Sequence, residues 1–370
     1  MNSRTANTNK FKYLPPVLTR PFHDQIGVIL RQMLNYELVI NGLDHAWQKE
    51  FGCHCARCQD NGRTANTSVS ILGWQQQQLE QHILIDAGGG VCESLIANPN
   101  LVQQPRLDAV LLTHWHPDHV ADLNRIVVGF GRSSWRERQT ANRPYLWMRE
   151  GSHMWLERQQ PNVLRQVSLI SSLEYFPPGH LLEPIRILGL DLLVTPVTIA
   201  HSSADLFPPF GEERLATCAG FIVQTNKFRT ALLWDLDATN LWLENPNSTQ
   251  QAAFDAIAGC DLLLIDCNTW AYHRHANGEP TSHVSFALVQ RFAKALKPKR
   301  TVLMHISGHE DAIGDGFGWT NEIWQFEATK AWQTAGLGGE VIVPQIGQRF
   351  ALQGSDVALQ GSDVALEVAH

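Results

Sequence analysis

The amino-acid sequence predicts an α/β fold, because apolar strand-like runs alternate with helical patterns. Six apolar runs end in an ionisable residue, at Asp86, His114, His201, Asp235, Asp266 and His305. Helical patterns cover Asp118–Val128, Thr249–Ala258 and His283–Leu296. In layered α/β proteins, ligand-binding groups gather at the carboxyl ends of strands. The sequence therefore predicts a functional site built from the residues that end these runs.

The remaining elements are shorter. Ser68–Trp74 and His82–Asp86 predict two strands that flank the glutamine turn Gln75–Gln78, and Gly339–Phe350 predicts a closing strand. The apolar run 26–40 fits either a strand pair or a helix, since periodicity alone does not distinguish them. We expect an extended leader at 1–22, one globular domain at 23–352, and a disordered tail at 353–370, where the sequence ALQGSDV is repeated.

Composition restricts the class of protein. The 370 residues are 44% hydrophobic and 18% charged, which excludes disorder of the whole chain, and the formal net charge of −7 disfavours a nucleic-acid partner. No apolar run approaches the roughly 18 residues of a membrane helix, and the first twenty residues contain no secretory apolar segment. The sequence thus predicts a soluble cytoplasmic protein with a small-molecule substrate and no membrane contact, and a homodimer is an open alternative to a monomer.

The densest group of ligand-type residues is the run from Thr113 to His119, which reads THWHPDH. It lies directly after an apolar run and before a helical pattern. His114 and His116 at a strand end can point at one ion, while Asp118 and His119 on the next turn can reach a second. Four ligand-type residues within six positions favour a metal site over isolated surface histidines.

A second group is the cysteine cluster at 53–58, which reads CHCARC. Cys53, Cys55 and Cys58 supply three thiolates on a short loop, and a closed structural zinc site requires a fourth ligand. Buried reduced cysteines are the alternative interpretation. The other four cysteines lie in or beside apolar runs and are expected to be small core residues; they are Cys92, Cys218, Cys260 and Cys267.

The H-x-H-x-D-H run and the later strand ends resemble the metallo-β-lactamase superfamily over about residues 60–350. The resemblance implies a four-layer αββα sandwich with Asp86 as a structural carboxylate. It further implies one ion at His114, His116 and His201, a second ion at Asp118, His119 and His305, and Asp235 as the bridge between them. Zn²⁺ and Mn²⁺ both suit these ligands. Such an ion pair generates a nucleophilic hydroxide at neutral pH, so the implied reaction is hydrolysis.

The cysteine cluster narrows the resemblance. It resembles the branch that contains the phosphoribosyl cyclic phosphodiesterase and the pyrroloquinoline-quinone biosynthesis protein. That branch implies a structural Zn²⁺ held by Cys53, Cys55, Cys58 and a histidine, for which His309 is expected and His54 competes. Zinc β-lactamases commonly place a thiolate in their second metal site, whereas this chain offers Asp235. The aspartate therefore disfavours antibiotic hydrolysis.

The same branch implies a histidine that contacts substrate phosphate. His283 is the candidate, with Ser282 as the expected N-cap of a helix whose amino end favours anions. An exposed histidine at a helix start is the alternative. Arg132, Arg136 and Arg138, in an expected insert at 131–155, could line a substrate entrance, although a mobile surface loop is the commoner origin of such a run.

Together these features predict a dinuclear metal-dependent phosphodiesterase acting on a small cyclic phosphate or a nucleotide-like phosphodiester, with Asp118 and His283 as catalytic residues. A thioesterase or lactonase of the same fold and a non-catalytic binding protein similar to the quinone-biosynthesis member are the alternatives. Transfer-RNA 3′ processing is a third, disfavoured by the acidic charge.

Overall fold

Two β-sheets and flanking helices make up the computed structural model, which describes residues 34–138, 143–172, 175–187, 192–201, 204, 217–271, 278 and 281–353. The strands are β1 (Asn35–Gly42), β2 (Ser68–Gln75), β3 (Gln78–Ile85), β4 (Ala109–Leu111), β5 (Tyr145–Arg149), β6 (Ser168–Ser172), β7 (Leu193–Thr198), β8 (Ala219–Gln224), β9 (Arg229–Leu233), β10 (Leu262–Asp266), β11 (Arg300–Met304), β12 (Glu340–Ile342) and β13 (Arg349–Ala351). The first sheet has the order β13-β1-β2-β3-β4-β5-β6, and the second has the order β12-β11-β10-β9-β8-β7.

The α-helices alternate with the strands, as the sequence predicts. They are α1 (Ala56–Gln59), α2 (Val91–Ile96), α3 (Pro99–Gln103), α4 (Pro117–Val120), α5 (Leu123–Arg138), α6 (Glu150–Gln159), α7 (Pro161–Leu164), α8 (Gln251–Ile257), α9 (Phe286–Leu296) and α10 (Asn321–Thr334), with a 3₁₀ turn at Leu241–Leu243. In the described part of the chain, none of these helices is long and apolar enough to cross a membrane.

Strand pairing changes direction within each sheet. Strands β13, β1, β2 and β3 pair antiparallel, whereas β3 to β6 pair parallel. In the second sheet β9 to β12 are parallel and β7, β8 and β9 are antiparallel. The parallel strands of each sheet consequently end at one edge, and that edge receives the predicted site.

Both faces of the central strands β2 to β5 of the first sheet are largely buried, which explains their continuous apolar runs. In β3, Ile83 and Ile85 face the core shared with the second sheet, while Leu84 faces the separate core beneath the helices. This alternation follows from the two-residue period of a strand. Helices lie outside both sheets, so the predicted four-layer αββα arrangement is confirmed.

Two sequence expectations about local structure are wrong. The closing strand at Gly339–Phe350 is two strands, β12 and β13, one in each sheet; Pro344 between them lacks the N–H that a continuous strand would need. The described residues of the region 131–155, which are 131–138 and 143–155, are not a single loop, because they contain the end of α5, strand β5 and half of α6. Arg132 and Arg136 are exposed on α5, whose apolar side packs Ile126 and Val127 on the sheet.

The remaining expectations about local structure are either confirmed or fall on residues outside the described ones. The hairpin of β2 and β3 is confirmed, with its turn at Gln76 and Gln77. The run 26–40 contains β1 from Asn35 onward, and its residues before 34 lie outside the described residues. The leader 1–22 and the tail beyond 353 also lie outside them.

Phe221→Ala should destabilise the protein by about 3–5 kcal/mol, the usual cost of removing a buried aromatic side chain. Phe221 is fully buried and contacts Trp147 of the other sheet edge-to-face, with ring centroids 5.2 Å apart. Denaturant unfolding measures the change. Phe326→Ala is the matched control, because this ring on α10 is 65% exposed and should change stability by less than about 0.5 kcal/mol. Equal losses in the two variants would contradict the sandwich core.

Candidate functional site

The first cluster joins His114, His116, His201 and Asp235, whose ligand atoms all lie within 4.8 Å of one another. His201 Nε2 is 3.2 Å from His116 Nδ1. Asp235 Oδ2 is 3.7 Å from the Nε2 atoms of both His114 and His201. His201 and Asp235 lie more than 80 residues after His114 and His116, so the fold assembles the cluster.

The second cluster joins Asp118, His119, Asp235 and His305, again within 4.8 Å. Asp118 Oδ2 lies 3.3 Å from Nε2 of both His119 and His305. Asp235 Oδ1 is 2.9 Å from His305 Nε2, and its Oδ2 is 3.3 Å from His119 Nε2. Asp235 thus belongs to both clusters, and the seven predicted ligands are brought together.

Strand ends explain this convergence. His114 follows β4, His201 follows β7, Asp235 follows β9 and His305 follows β11. His116, Asp118 and His119 lie at the start of α4, which begins directly after the β4 loop. The site therefore lies where the carboxyl ends of strands from both sheets meet.

The clusters suit divalent cations. His114 Nε2 and His119 Nε2 are buried without a hydrogen-bond partner among the described residues, although a carboxylate oxygen lies 3.3–3.7 Å from each. Buried polar atoms that lack a partner are costly, and a cation between imidazole and carboxylate would remove that cost. Imidazole and carboxylate donors together fit Zn²⁺ or Mn²⁺.

The two clusters differ in their electrostatics. Burial and the neighbouring His119 and His116 hold the pKa of His114 well below its usual value. Burial also lowers the pKa of His305, but the negative charge of Asp235 and hydrogen bonds to Asp118 and Asp235 outweigh burial and raise that pKa to about 10. Protons and metal ions therefore compete for the second cluster.

Asp86 lies next to the clusters and contacts His119 and the residue before His114. Its carboxylate is fully buried and accepts hydrogen bonds from Thr113 N at 2.8 Å, Thr113 Oγ1 at 2.7 Å and Trp234 Nε1 at 2.8 Å. His119 Nδ1 lies 2.8 Å from Oδ2 of the same carboxylate. Because Nδ1 is occupied in this way, Nε2 of His119 is left to face Asp118 and Asp235.

His283 lies in the site, but the prediction that it begins a helix capped by Ser282 is wrong. Helix α9 begins at Phe286 with Ser285 as its N-cap, so Ser282 caps no helix and His283 precedes the helix. Instead, His283 Nδ1 lies 3.0 Å from Asp266 Oδ2. The ring centroid of His283 is 4.9 Å from that of His305. Burial lowers the pKa of His283, but the charge of Asp266 outweighs it and the net pKa is raised.

Sequence reasoning missed two residues of the site. The sequence predicts Asp266 only as the end of an apolar run, although it pairs with His283. His45 was not singled out; it is 5% exposed, and its ring lies 5.0 Å from His283 and 4.9 Å from His305 between centroids. Its position after β1, another strand end, is the signal that could have identified it.

The cysteine cluster gathers around His309. Cys53, Cys55, Cys58 and His309 place their ligand atoms within 4.8 Å of one another. His309 Nε2 is 3.1 Å from Cys58 Sγ and 3.5 Å from Cys55 Sγ. His54 is exposed and does not join the group. The other four cysteines are buried, as expected for core residues.

A buried ion pair links the cysteine loop to the main site. Arg57, in α1 between Cys55 and Cys58, pairs with Asp44 through Nη2 and Oδ1 at 2.5 Å, and both side chains are less than a tenth exposed. Arg57 Nη1 also donates to Asn321 Oδ1 at 3.1 Å. Asp44 immediately precedes His45, so the cysteine loop is tied to the wall of the site.

Comparison with known proteins identifies the class that these clusters indicate. The model of the β-lactamase superfamily domain matches residues 81–306, more than half of the chain. The chain belongs to this superfamily. A search of curated proteins found no match.

Solved structures agree in fold. The metallo-β-lactamase fold protein YhfI from Bacillus subtilis has 14% identity and a TM-score of 0.54, over 86% of this chain and 99% of YhfI. A diphosphatase of the PhnP family has 19% identity and a TM-score of 0.56, over 85% and 97%. A long-form RNase Z from yeast has 11% identity and a TM-score of 0.53, over 89% of this chain and 43% of the RNase. Family membership and the His/Asp clusters together support a metal-dependent hydrolase with the metallo-β-lactamase fold.

Cys55→Ser should lower the melting temperature by several degrees, because a metal held by the cysteine loop contributes folding free energy. One equivalent of zinc should be lost, while metal bound at the His/Asp clusters should remain. Calorimetry and elemental analysis measure the two effects. His54→Ala is the matched control from the same loop and should resemble the parent. A Cys55→Ser protein with parental stability and zinc, or a His54→Ala protein without zinc, would contradict the expected ligand set.

Proposed function

We propose that this protein is a dinuclear metal-dependent phosphodiesterase that acts on a small cyclic phosphate or a nucleotide-like phosphodiester. The observation that carries the proposal is the His283–Asp266 pair beside His305, because it adds an oriented imidazole to the seven ligand-type residues. The fold likeness to a diphosphatase is consistent with phosphate chemistry.

The seven residues of the two clusters would hold the ions. His114, His116 and His201 face one position, Asp118, His119 and His305 face the other, and Asp235 borders both. When bound, two divalent ions supply a nucleophile at neutral pH and stabilise the charge that develops on substrate oxygens. A third ion, Zn²⁺, would be structural and bound by Cys53, Cys55, Cys58 and His309, since four protein ligands leave no open position.

His283 would act as the general acid for the leaving alkoxide. Its Nδ1 is held by Asp266, so the ring is fixed in orientation and Nε2 is the atom available to a substrate. Asp266 also accepts a hydrogen bond from Leu236 N at 2.9 Å, which fixes the carboxylate relative to the loop after Asp235. A carboxylate that orients an imidazole in this way is the arrangement used by general acid–base pairs.

Asp118, a member of the second cluster, would act as a general base. Its side chain is 10% exposed, whereas those of His119 and His305 are fully buried. Asp118 therefore borders the opening of the site, where its carboxylate can accept a proton from the attacking water. Its Oδ2 also faces both imidazoles at 3.3 Å, so one carboxylate would serve binding and proton transfer.

Asp235→Ala tests the dinuclear site, because Asp235 is the residue shared by both clusters. We expect the variant to lose at least one ion by elemental analysis and nearly all hydrolysis of bis(p-nitrophenyl) phosphate. Asp315→Ala, at an exposed position, is the matched control. Two retained ions together with full activity would overturn the ligand assignment. A parent protein that hydrolyses a thioester or lactone faster than the phosphodiester would favour the alternative hydrolases, and one that hydrolyses none of the three substrates would favour a binding protein.

His283→Ala should keep both ions of the His/Asp clusters and lower phosphodiester hydrolysis by about 10²–10⁴-fold, the usual contribution of one general acid–base group. Steady-state kinetics and elemental analysis on the same preparation separate catalysis from metal binding. His180→Ala is the matched control, because His180 pairs with the carbonyl of Pro177 and belongs to none of the described clusters. Phosphodiester hydrolysis at the parental rate in His283→Ala would remove His283 from the mechanism.

A further inference from the structure

His45 is a buried imidazole in the wall of the site that the proposed chemistry does not use. Its side chain is 5% exposed, and its ring meets those of His283 and His305 nearly at right angles, at 84° and 90°. One nitrogen of each ring lies within 4.8 Å of the other two. His45 shares no such group with Asp235, Asp118 or His119 among the described residues.

The backbone fixes which nitrogen of His45 carries the proton. Trp47 N donates a hydrogen bond to His45 Nδ1 at 3.4 Å. A backbone amide can only donate, so Nδ1 is the acceptor and the proton of the neutral ring is on Nε2. This hydrogen bond is the one that the ring makes among the described residues, so Nε2–H is left as a donor for a substrate.

Several contacts hold His45 in place. His45 N donates to Ile306 O at 3.1 Å, which ties it to the residue after His305. Asn66 Nδ2 donates to His45 O at 3.0 Å, and the preceding Asp44 is held by Arg57. A donor fixed by its surroundings needs no reorganisation when a substrate arrives, which is the property that makes such donors effective.

We propose that His45 is a second substrate-contacting imidazole, which donates its Nε2–H to a non-bridging oxygen of the phosphodiester while His283 serves the leaving oxygen. This inference rests on the proposed phosphodiesterase function. A phosphodiester has two non-bridging oxygens and no proton of its own, so it can accept from His45 and still present oxygens to the metal clusters. A thioester or lactone has a single carbonyl oxygen and satisfies fewer of these groups.

The experiment compares His45→Gln with His45→Asn. The amide nitrogen of Gln can reach the place of Nε2, whereas the shorter Asn reaches only the place of Nδ1. Titration calorimetry of the metal-loaded protein with inorganic phosphate measures binding without turnover. We expect His45→Asn to weaken phosphate binding by about 10–100-fold, the range for a hydrogen bond to a charged group, and His45→Gln to retain most of it.

Kinetics and metal analysis complete the comparison. With bis(p-nitrophenyl) phosphate, His45→Asn should raise KM more than it lowers kcat, and all variants should keep the parental metal content. His180→Gln is the matched control and should behave as the parent. Loss of an ion in both His45 variants would make His45 a metal ligand and overturn the proposal, as would parental phosphate affinity in His45→Asn.

The same data separate the two proposals. If the parent hydrolyses the phosphodiester and His45→Asn binds phosphate as the parent does, the role of His45 is overturned and the phosphodiesterase stands. If the parent does not hydrolyse it but His45→Asn weakens phosphate binding, the phosphodiesterase is overturned and the anion contact of His45 stands. If the parent neither binds phosphate nor hydrolyses the phosphodiester, both are overturned.

Discussion

The candidate site depends on the hydrogen bonds that the buried carboxylate of Asp86 makes with its neighbours. Asp86 directly follows β3, and its carboxylate contacts groups from three other parts of the fold: Thr113 after β4, His119 in α4, and Trp234 directly after β9. Trp234 belongs to the other sheet, so one buried carboxylate ties the two sheets together directly beneath the clusters. The backbone of Asp86 has a φ of +59°, a conformation that is strained for a non-glycine residue and that persists at sites where surrounding contacts enforce it.

A second group of contacts holds the residues next to His305 and His45. Ile306 O accepts from His45 N, Ile306 N donates to Leu43 O, and Arg57 reaches Asp44. His305 directly precedes Ile306 and also has a φ of +59°, so the chain after β11 turns where the segment that follows β1 holds Ile306. His309 follows within the same loop. The cysteine cluster therefore stabilises the segment that presents His305 and His45.

Features that depend on a local sequence pattern can be predicted from the sequence. Contacts between residues that are distant in sequence cannot. The H-x-H-x-D-H run and the strand ends are local features, and the structure brings all seven residues together. The start of α9 was misplaced because Ser285 forms a parallel bridge with Thr269 and Phe286 N donates to Thr269 O, which keeps the chain extended past His283. His45 meets His283 across more than two hundred residues, and no periodicity encodes such a contact.

The acidic character of the chain does not oppose an anionic substrate, because the relevant charge balance is local. The formal charge of −7 is spread over 370 residues, and surface charges beyond about 10 Å are screened at physiological salt. Inside the site, the two divalent ions proposed there carry more positive charge than Asp118 and Asp235 carry negative. The Asp86 carboxylate accepts hydrogen bonds from Thr113 and Trp234, and Asp266 Oδ2 accepts one from Leu236 N. Asp266 Oδ1 is buried without a hydrogen-bond partner among the described residues. The remaining groups at the opening are imidazoles, which donate without adding negative charge. Two bound divalent ions would therefore present positive charge directly to the phosphodiester proposed as substrate, which the overall charge of the protein does not reveal.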